Sequence, residues 1–252
     1  MNTITYINHA TVLIQFEDYT ILTDPVYTLA ISYYIPRLRK RGIPFDELPP
    51  IDFILLSHND YDHLNMKTLR QLSRKNQSTV LVPRGLKNYG VRAGFSTVQE
   101  MEWWERSEFE NLTITCVPAK HRGTRMFWDR NRSIACGYCI EYEGACIYFA
   151  GDTAYSPDFK ALGEKFNIDV ALLPIGAYKP FDWFKDIHLN PKTAIQAMAD
   201  LRAKHLVPIH WGTFKISDEL MSEPPEWLRS EAVEYGVSEQ VHILKNGEKF
   251  FL

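Results

Sequence analysis

The chain has 252 residues, 45% of them hydrophobic and 23% charged, the proportions of a packed soluble fold that needs no covalent staples. Its 28 Lys and Arg against 31 Asp and Glu leave a net charge of -3, which argues against a general nucleic-acid binder. Four Cys do not make a secreted disulfide scaffold, no run approaches the roughly 20 apolar residues that span a bilayer, and the N-terminus lacks a signal-peptide pattern, so a cytoplasmic protein is expected.

From the N-terminus, residues 4–7, 11–16 and 19–22 are short β-branched or aromatic runs that predict an antiparallel meander. Residues 27–50 are irregular. They hold Tyr33, Tyr34 and Ile35, then Arg37, Arg39, Lys40 and Arg41, a basic run expected as a solvated turn. Strands are predicted at 51–57, 79–82, 112–117, 134–142 and 145–151, with a helix at 64–75. Cys116, Cys136, Cys139 and Cys146 fall in or beside these runs and read as reduced core residues, Cys136 and Cys139 on opposite faces of one strand. Ser156-Pro157 predicts a helix with Ser156 as its cap and Pro157 first in the helix. A strand at 168–175 precedes a second such start, Asn190-Pro191, where Ala194, Ala197, Met198 and Leu201 recur at helical spacing. A strand at 205–209, a helix around 225–235 with Gly236 at its C′ position, and strands VHIL (241–244) and KFFL (249–252) complete the chain. With no repeat or linker, one layered α/β domain over 1–252 is expected.

The chemistry concentrates where strands end. ILLSHNDYDHLN stops a strand and delivers His58, Asp60, Asp62 and His63 within six residues, a set of imidazoles and carboxylates suited to zinc, manganese or iron. Three further strand ends place His121, Asp152 and His210 in the same way. The segments NHATVLIQ, ILTDPV, IDFILLSHNDYDHLN, FAGDTAYS, DVALLPIGAY, HLNP and PIHWGTF together resemble the metallo-β-lactamase superfamily. More narrowly they resemble the branch of N-acylphosphatidylethanolamine-hydrolysing phospholipase D and L-ascorbate-6-phosphate lactonase.

That resemblance implies an αββα sandwich, two mixed sheets flanked by helices, with two divalent metal ions at one edge. By position, the first metal takes His58, Asp60 and His121, the second takes Asp62, His63 and His210, and Asp152 bridges. The branch pattern is H-x-H-x-D-H; here Asp60 stands where the second His belongs. Three carboxylates, two divalent cations and one hydroxide then sum to zero charge, which shifts preference from zinc toward manganese or iron.

The implied activity is metal-dependent hydrolysis by a metal-held hydroxide that Asp62 orients. A phosphodiesterase of the phospholipase D kind comes first, a lactonase acting on a phosphorylated sugar lactone second, and a metal-binding protein without turnover third. His188, just before a helix N-terminus, matches a His near substrate in the branch and is the other catalytic candidate. His9, preceded by Asn8 where the branch has glycine, is expected to support the centre. Asp24 is expected to hydrogen-bond a ligand His, with a turn before Pro25 as the alternative. His205 and His242 read as ordinary partly buried residues. The expected partner is a small-molecule or lipid-like anionic substrate, with no nucleic acid, at most peripheral membrane contact, and a homo-oligomer left open. Residues 27–50 and 121–133 are where substrate choice is expected to lie. Trp103, Trp104, Trp128, Tyr178, Phe181, Trp183 and Phe184 are of the kind that lines an apolar groove, with core packing and loop pinning the expectation for most of them.

Overall fold

The computed structural model describes residues 2–32, 34–75, 77–125 and 133–252; Tyr33 and Trp128 lie outside the described residues. Strands β1 (Thr3–Asn8), β2 (Thr11–Gln15) and β3 (Thr20–Thr23) form the expected antiparallel meander. A short ribbon follows, β4 (Ala30–Ile31) with β5 (Ile35–Pro36). Then β6 (Phe53–Leu55), α1 (Met66–Lys75), β7 (Thr79–Pro83), α2 (Lys87–Ala93) and β8 (Thr97–Met101) alternate, their strands running parallel beside β3.

The second half opens with antiparallel β9 (Arg106–Phe109), β10 (Leu112–Pro118), β11 (Cys136–Tyr142) and β12 (Ala145–Phe149). After α3 (Asp158–Lys165), β13 (Val170–Pro174), α4 (Phe181–Phe184), α5 (Pro191–Asp200) and β14 (His205–Ile209), strands β12, β13 and β14 lie parallel. Helix α6 (Glu223–Glu234) precedes β15 (Lys249–Phe251), which returns to pair with β1. The result is a seven-stranded sheet ordered β15-β1-β2-β3-β6-β7-β8 and a six-stranded sheet ordered β14-β13-β12-β11-β10-β9, both mixed as expected.

Strand alternation sorts the side chains into layers. In β6, Phe53 and Leu55 face the main core while Ile54, with Leu56 just beyond, faces Leu69 and Leu72 of α1. The main core takes Ile4, Val12 and Ile14 from one sheet, Ile114, Ile140 and Phe149 from the other, and Leu162, Met198 and Leu228 from α3, α5 and α6. That is the αββα layering. Each fully buried Leu or Ile contributes roughly 1.5–3 kcal/mol. The four thiols are free and buried, as expected of core residues.

Three local expectations need correction. Helix α3 starts at Asp158, one residue late, with Pro157 at the cap position; Ser156 still serves the first turn, its Oγ accepting Asp158 N–H at 3.3 Å. The run 241–244 is no strand of a hairpin: Val241 makes one bridge to Leu206, and β15 pairs with β1 instead. The basic run is a solvated turn only in part: Arg39 and Lys40 are exposed, but Arg37 and Arg41 are half-buried. Arg37 donates to the carbonyls of Thr28 (3.0 Å) and Val26 (2.7 Å) and stacks 4.8 Å from the Phe214 ring. Arg41 donates to Tyr27 O, and Arg39 lies over Trp211. Burial, and then the neighbouring Arg41 charge, lower the Arg37 pKa to about 10. Arg37 thus straps residues 26–28 to the segment after β14.

Candidate metal centre

Strand β1 is antiparallel to β2, β2 to β3, and β3 is parallel to β6, so β1, β3 and β6 share one direction. By the same pairing β10, β12 and β14 share one direction. The ends of these six strands supply the candidates: His9 after β1, Asp24 after β3, His58, Asp60, Asp62 and His63 after β6, His121 after β10, Asp152 after β12 and His210 after β14. Ligands in α/β folds gather at such strand ends. His188 arrives from the turn between α4 and α5, where Asn190 caps α5 in a capping box with Thr193.

The structure brings all of these side chains together. Asp152 Oδ2 lies 3.1 Å from His210 Nε2, 3.2 Å from His63 Nε2, 3.8 Å from His58 Nε2 and 3.7 Å from His188 Nδ1. Asp60 Oδ2 stands 3.4 Å from His58 Nε2 and 3.3 Å from His121 Nε2. Asp62 Oδ2 stands 3.4 Å from His210 Nε2 and 3.7 Å from His63 Nε2. Ligand atoms about 2.1 Å from one tetrahedral ion are roughly 3.4 Å apart, so these spacings suit shared cations. Among the described residues, Nε2 of His58, His63 and His210 and Oδ1 of Asp152 are buried with no hydrogen-bond partner. A buried polar atom left so costs about 1–3 kcal/mol, and a cation would satisfy them all. The donor set therefore fits divalent ions.

Asp24, together with several groups that the sequence did not single out, aims the imidazoles. His121 Nδ1 lies 2.9 Å from Ile187 O, so it donates to that carbonyl and turns Nε2 inward. His63 Nδ1 lies 2.7 Å from Asp24 Oδ2. Ser57 Oγ sits 2.5 Å from the same oxygen and 2.8 Å from His58 Nδ1. Thr124 N–H donates to Asp60 Oδ1 at 2.5 Å, which leaves Oδ2 for the imidazoles. The loop can come this close because residue 123 is glycine; a Cβ there would stand 2.3 Å from Asn59 Oδ1. His9 (φ 50°), Asp24 (φ 31°) and His210 (φ 58°) all hold left-handed backbone, a strain of order 1–3 kcal/mol each that hydrogen bonds such as His210 N to His9 O (2.8 Å) retain.

The charges are tightly balanced. Burial lowers His9 and His188 to about 3, so both are neutral at pH 7. Neutral His9 therefore donates Nε2–H to Asp62 Oδ2 at 2.9 Å. Burial would also lower His210, but the carboxylates of Asp152 and Asp62 outweigh it and raise the pKa to about 9. His63 is raised well above its ordinary value, Asp152 and Asp62 overcoming burial. Asp152 is held well below the carboxylate range, its histidines outweighing burial.

One consequence concerns pH. In the metal-free protein His210 is protonated at pH 7, and its raised pKa stabilises the fold fully below about 6.5, a contribution lost as pH rises through about 9. Metal ligation needs neutral imidazole, so cation binding at pH 7 expels protons. Calorimetric titrations of zinc in buffers of different ionisation enthalpy will show release of one to two protons per chain, on the order set by His63 and His210. A binding enthalpy independent of buffer contradicts this assignment.

The cluster opens into a cavity of about 240 Å³ lined by Asp60, Asp62, Asp152 and His188, with Ile31, Ile35, Phe184 and Ile216 as an apolar collar. Of the other aromatics, Tyr178 is buried with its hydroxyl on Glu223, Trp103 donates to Ala135 O, Trp104 underlies Lys165, and Phe181 and Trp183 are exposed. His205 and His242 hydrogen-bond each other (3.0 Å) beside Phe250 and, among the described residues, join none of the metal-capable groups. Among the described residues no helix is long and apolar enough to cross a membrane.

Comparison with known proteins places this geometry in context. Residues 19–211 match the family described as the β-lactamase superfamily domain. A nematode (Caenorhabditis elegans) N-acyl-phosphatidylethanolamine-hydrolyzing phospholipase D is 37% identical over 89% of this chain and 68% of its own length. A metal-dependent hydrolase of Methanopyrus kandleri is 29% identical over 98% of both chains. Other relatives are longer; the chain spans 63% of one and 48% of another. Igni18, a metallo hydrolase from Ignicoccus hospitalis, superimposes with a TM-score of 0.78 at 20% identity, over 100% of this chain and 99% of that one, which shows a shared fold.

Proposed function

Since this chain belongs to the metallo-β-lactamase superfamily of metal-dependent hydrolases, we propose that it cleaves phosphodiesters that carry an apolar group, in the manner of a phospholipase D. The observation that carries the reading is a set of metal-capable side chains, Asp60, Asp62, Asp152 and His188, lining an apolar-collared cavity, with Asp152 Oδ1 and His188 Nδ1 buried and unpartnered. The 37% identity to the nematode phospholipase D supports the reaction class.

His58, Asp60 and His121 would hold one divalent ion and Asp62, His63 and His210 a second, with Asp152 between them. Ions bound there would lower the pKa of coordinated water and offset charge building on the phosphoryl oxygens. Asp62, fixed by His9, accepts a hydrogen bond from the attacking water and sets its line of approach. Neutral His188 faces the same cavity and meets the substrate phosphate or the leaving oxygen. The collar of Ile31, Ile35, Phe184 and Ile216 receives the apolar part of the substrate.

The test is an assay of protein reconstituted with manganese or zinc on a phospholipid diester and on a phosphorylated sugar lactone, with a chelated control. Release of the headgroup alcohol from the diester, abolished by chelator, is expected. Hydrolysis of the lactone alone would overturn the phosphodiester assignment.

Asp60 gives a second test. Replacing it with His restores a nitrogen donor and raises the formal charge of the loaded centre by one, so Asp60→His will raise the zinc-to-manganese ratio of the purified protein. Identical metal content in both proteins would contradict a role for Asp60 in metal choice.

A further inference from the structure

We propose that Ser57 is a positioning residue that links the two halves of the centre: its hydroxyl carries the hold of Asp24 to His58, so that one buried carboxylate aims both His58 and His63. The inference rests on the metal-centre reading and concerns how the protein sets its imidazoles before any ion arrives.

The hydrogen-bond count leaves one arrangement. Asp24 is 0% exposed and Ser57 is 1% exposed, so they answer to one another. A carboxylate only accepts. Asp24 Oδ1 accepts Ser57 N–H at 2.8 Å, and Oδ2 accepts the Ser57 hydroxyl at 2.5 Å and His63 Nδ1–H at 2.7 Å. The single hydroxyl hydrogen of Ser57 is thereby committed. Toward His58 Nδ1, 2.8 Å away, Oγ can only accept, so that nitrogen carries a hydrogen. Its Nε2 then turns a lone pair toward Asp60 and Asp152. His63 is set in the same form by Asp24 directly. His121 is not part of this chain of bonds, since it answers to Ile187 O.

The backbone is built around the relay. Ser57 O accepts Cys136 N–H at 3.0 Å, which ties the end of β6 to β11. Gly151 (φ +60°) lies against the serine; a Cβ there would stand 2.5 Å from Ser57 Cβ and 2.8 Å from Oγ. A side chain at 151 would push the hydroxyl off its line.

Ser57→Ala removes the relay and leaves the His63–Asp24 bond intact. Zinc titration of the variant is expected to show one class of site weakened about 10–100-fold, the usual effect of losing a ligand's hydrogen-bond partner, and the other class unchanged. In zinc-loaded wild type, nitrogen–proton NMR is expected to show slowly exchanging Nδ1–H signals for both His58 and His63. In Ser57→Ala the His58 signal alone should exchange fast. Asp24→Asn, which replaces one acceptor with a donor, is expected to weaken both classes of site. Should that variant fail to fold, the wild-type spectrum and Ser57→Ala still decide. His58 protonated at Nε2, or equal zinc binding by wild type and Ser57→Ala, would overturn the relay while leaving the metal centre standing. A wild-type chain that binds no zinc or manganese would overturn the centre itself.

Discussion

Asp152→Asn will lower kcat/KM for diester hydrolysis by more than the roughly 100-fold that losing an outer hydrogen-bond partner costs, and will deplete bound metal. The side chain is the meeting point of the cluster: its Oδ2 lies 3.1–3.8 Å from ring nitrogens of His210, His63, His188 and His58. An amide carries no charge to offset two cations, and an NH2 turned toward Nε2 would block a ligand position. The substitution also removes the foremost carboxylate that raises His63 and His210, so their pKa values fall and proton release on metal binding shrinks. Retained near-ultraviolet dichroism with lost metal is the expected pattern. An Asp152→Asn protein with wild-type metal content and turnover would remove Asp152 from the centre.

Chelation will lower the melting temperature by roughly 8–16 °C. An ion present at a thousand times its Kd stabilises the folded chain by about 4 kcal/mol, and each kcal/mol moves Tm by about 2–4 °C at this chain length. The centre joins six strand ends from both sheets, so an ion there fastens the two layers at that edge. Without it, the buried Nε2 atoms of His58, His63 and His210 have no hydrogen bond and face only the crowded carboxylates. Scanning calorimetry with and without chelator reads the shift directly. A change under about 2 °C would mean that the fold is indifferent to its ions.

Much of this fold and centre is legible in the amino-acid sequence. The strands of the core are β-branched or aromatic runs, and the cation-seeking residues stand at their ends, where a strand must give way to a loop. What escaped had weak signals. β8 (TVQEM) and β9 (RSEF) are edge strands whose exposed positions carry charged and polar residues, so no apolar alternation marks them. Helix α2 contains Gly90, which disfavours a helix by propensity; it is needed because a Cβ there would stand 2.8 Å from Val98. Arg37 and Arg41 read as surface charge, yet their partners are the carbonyls of Val26, Tyr27 and Thr28, and carbonyls leave no trace in a sequence.

At the centre the same limit applies. His58, Asp60, Asp62 and His63 are conspicuous because four metal-capable residues crowd one loop. Ser57 is an ordinary strand-end serine until Asp24, 33 positions earlier, is seen beneath it. The supporting bonds are long-range and pass through backbone groups such as Ile187 O, so motif spacing could not reveal them.

The most direct test is elemental analysis of the purified protein paired with diester hydrolysis before chelation, after chelation and after stepwise return of manganese or zinc. Two equivalents per chain, activity lost with them and restored as the second equivalent is reached, is the predicted result. Full diester hydrolysis by metal-free protein would contradict it.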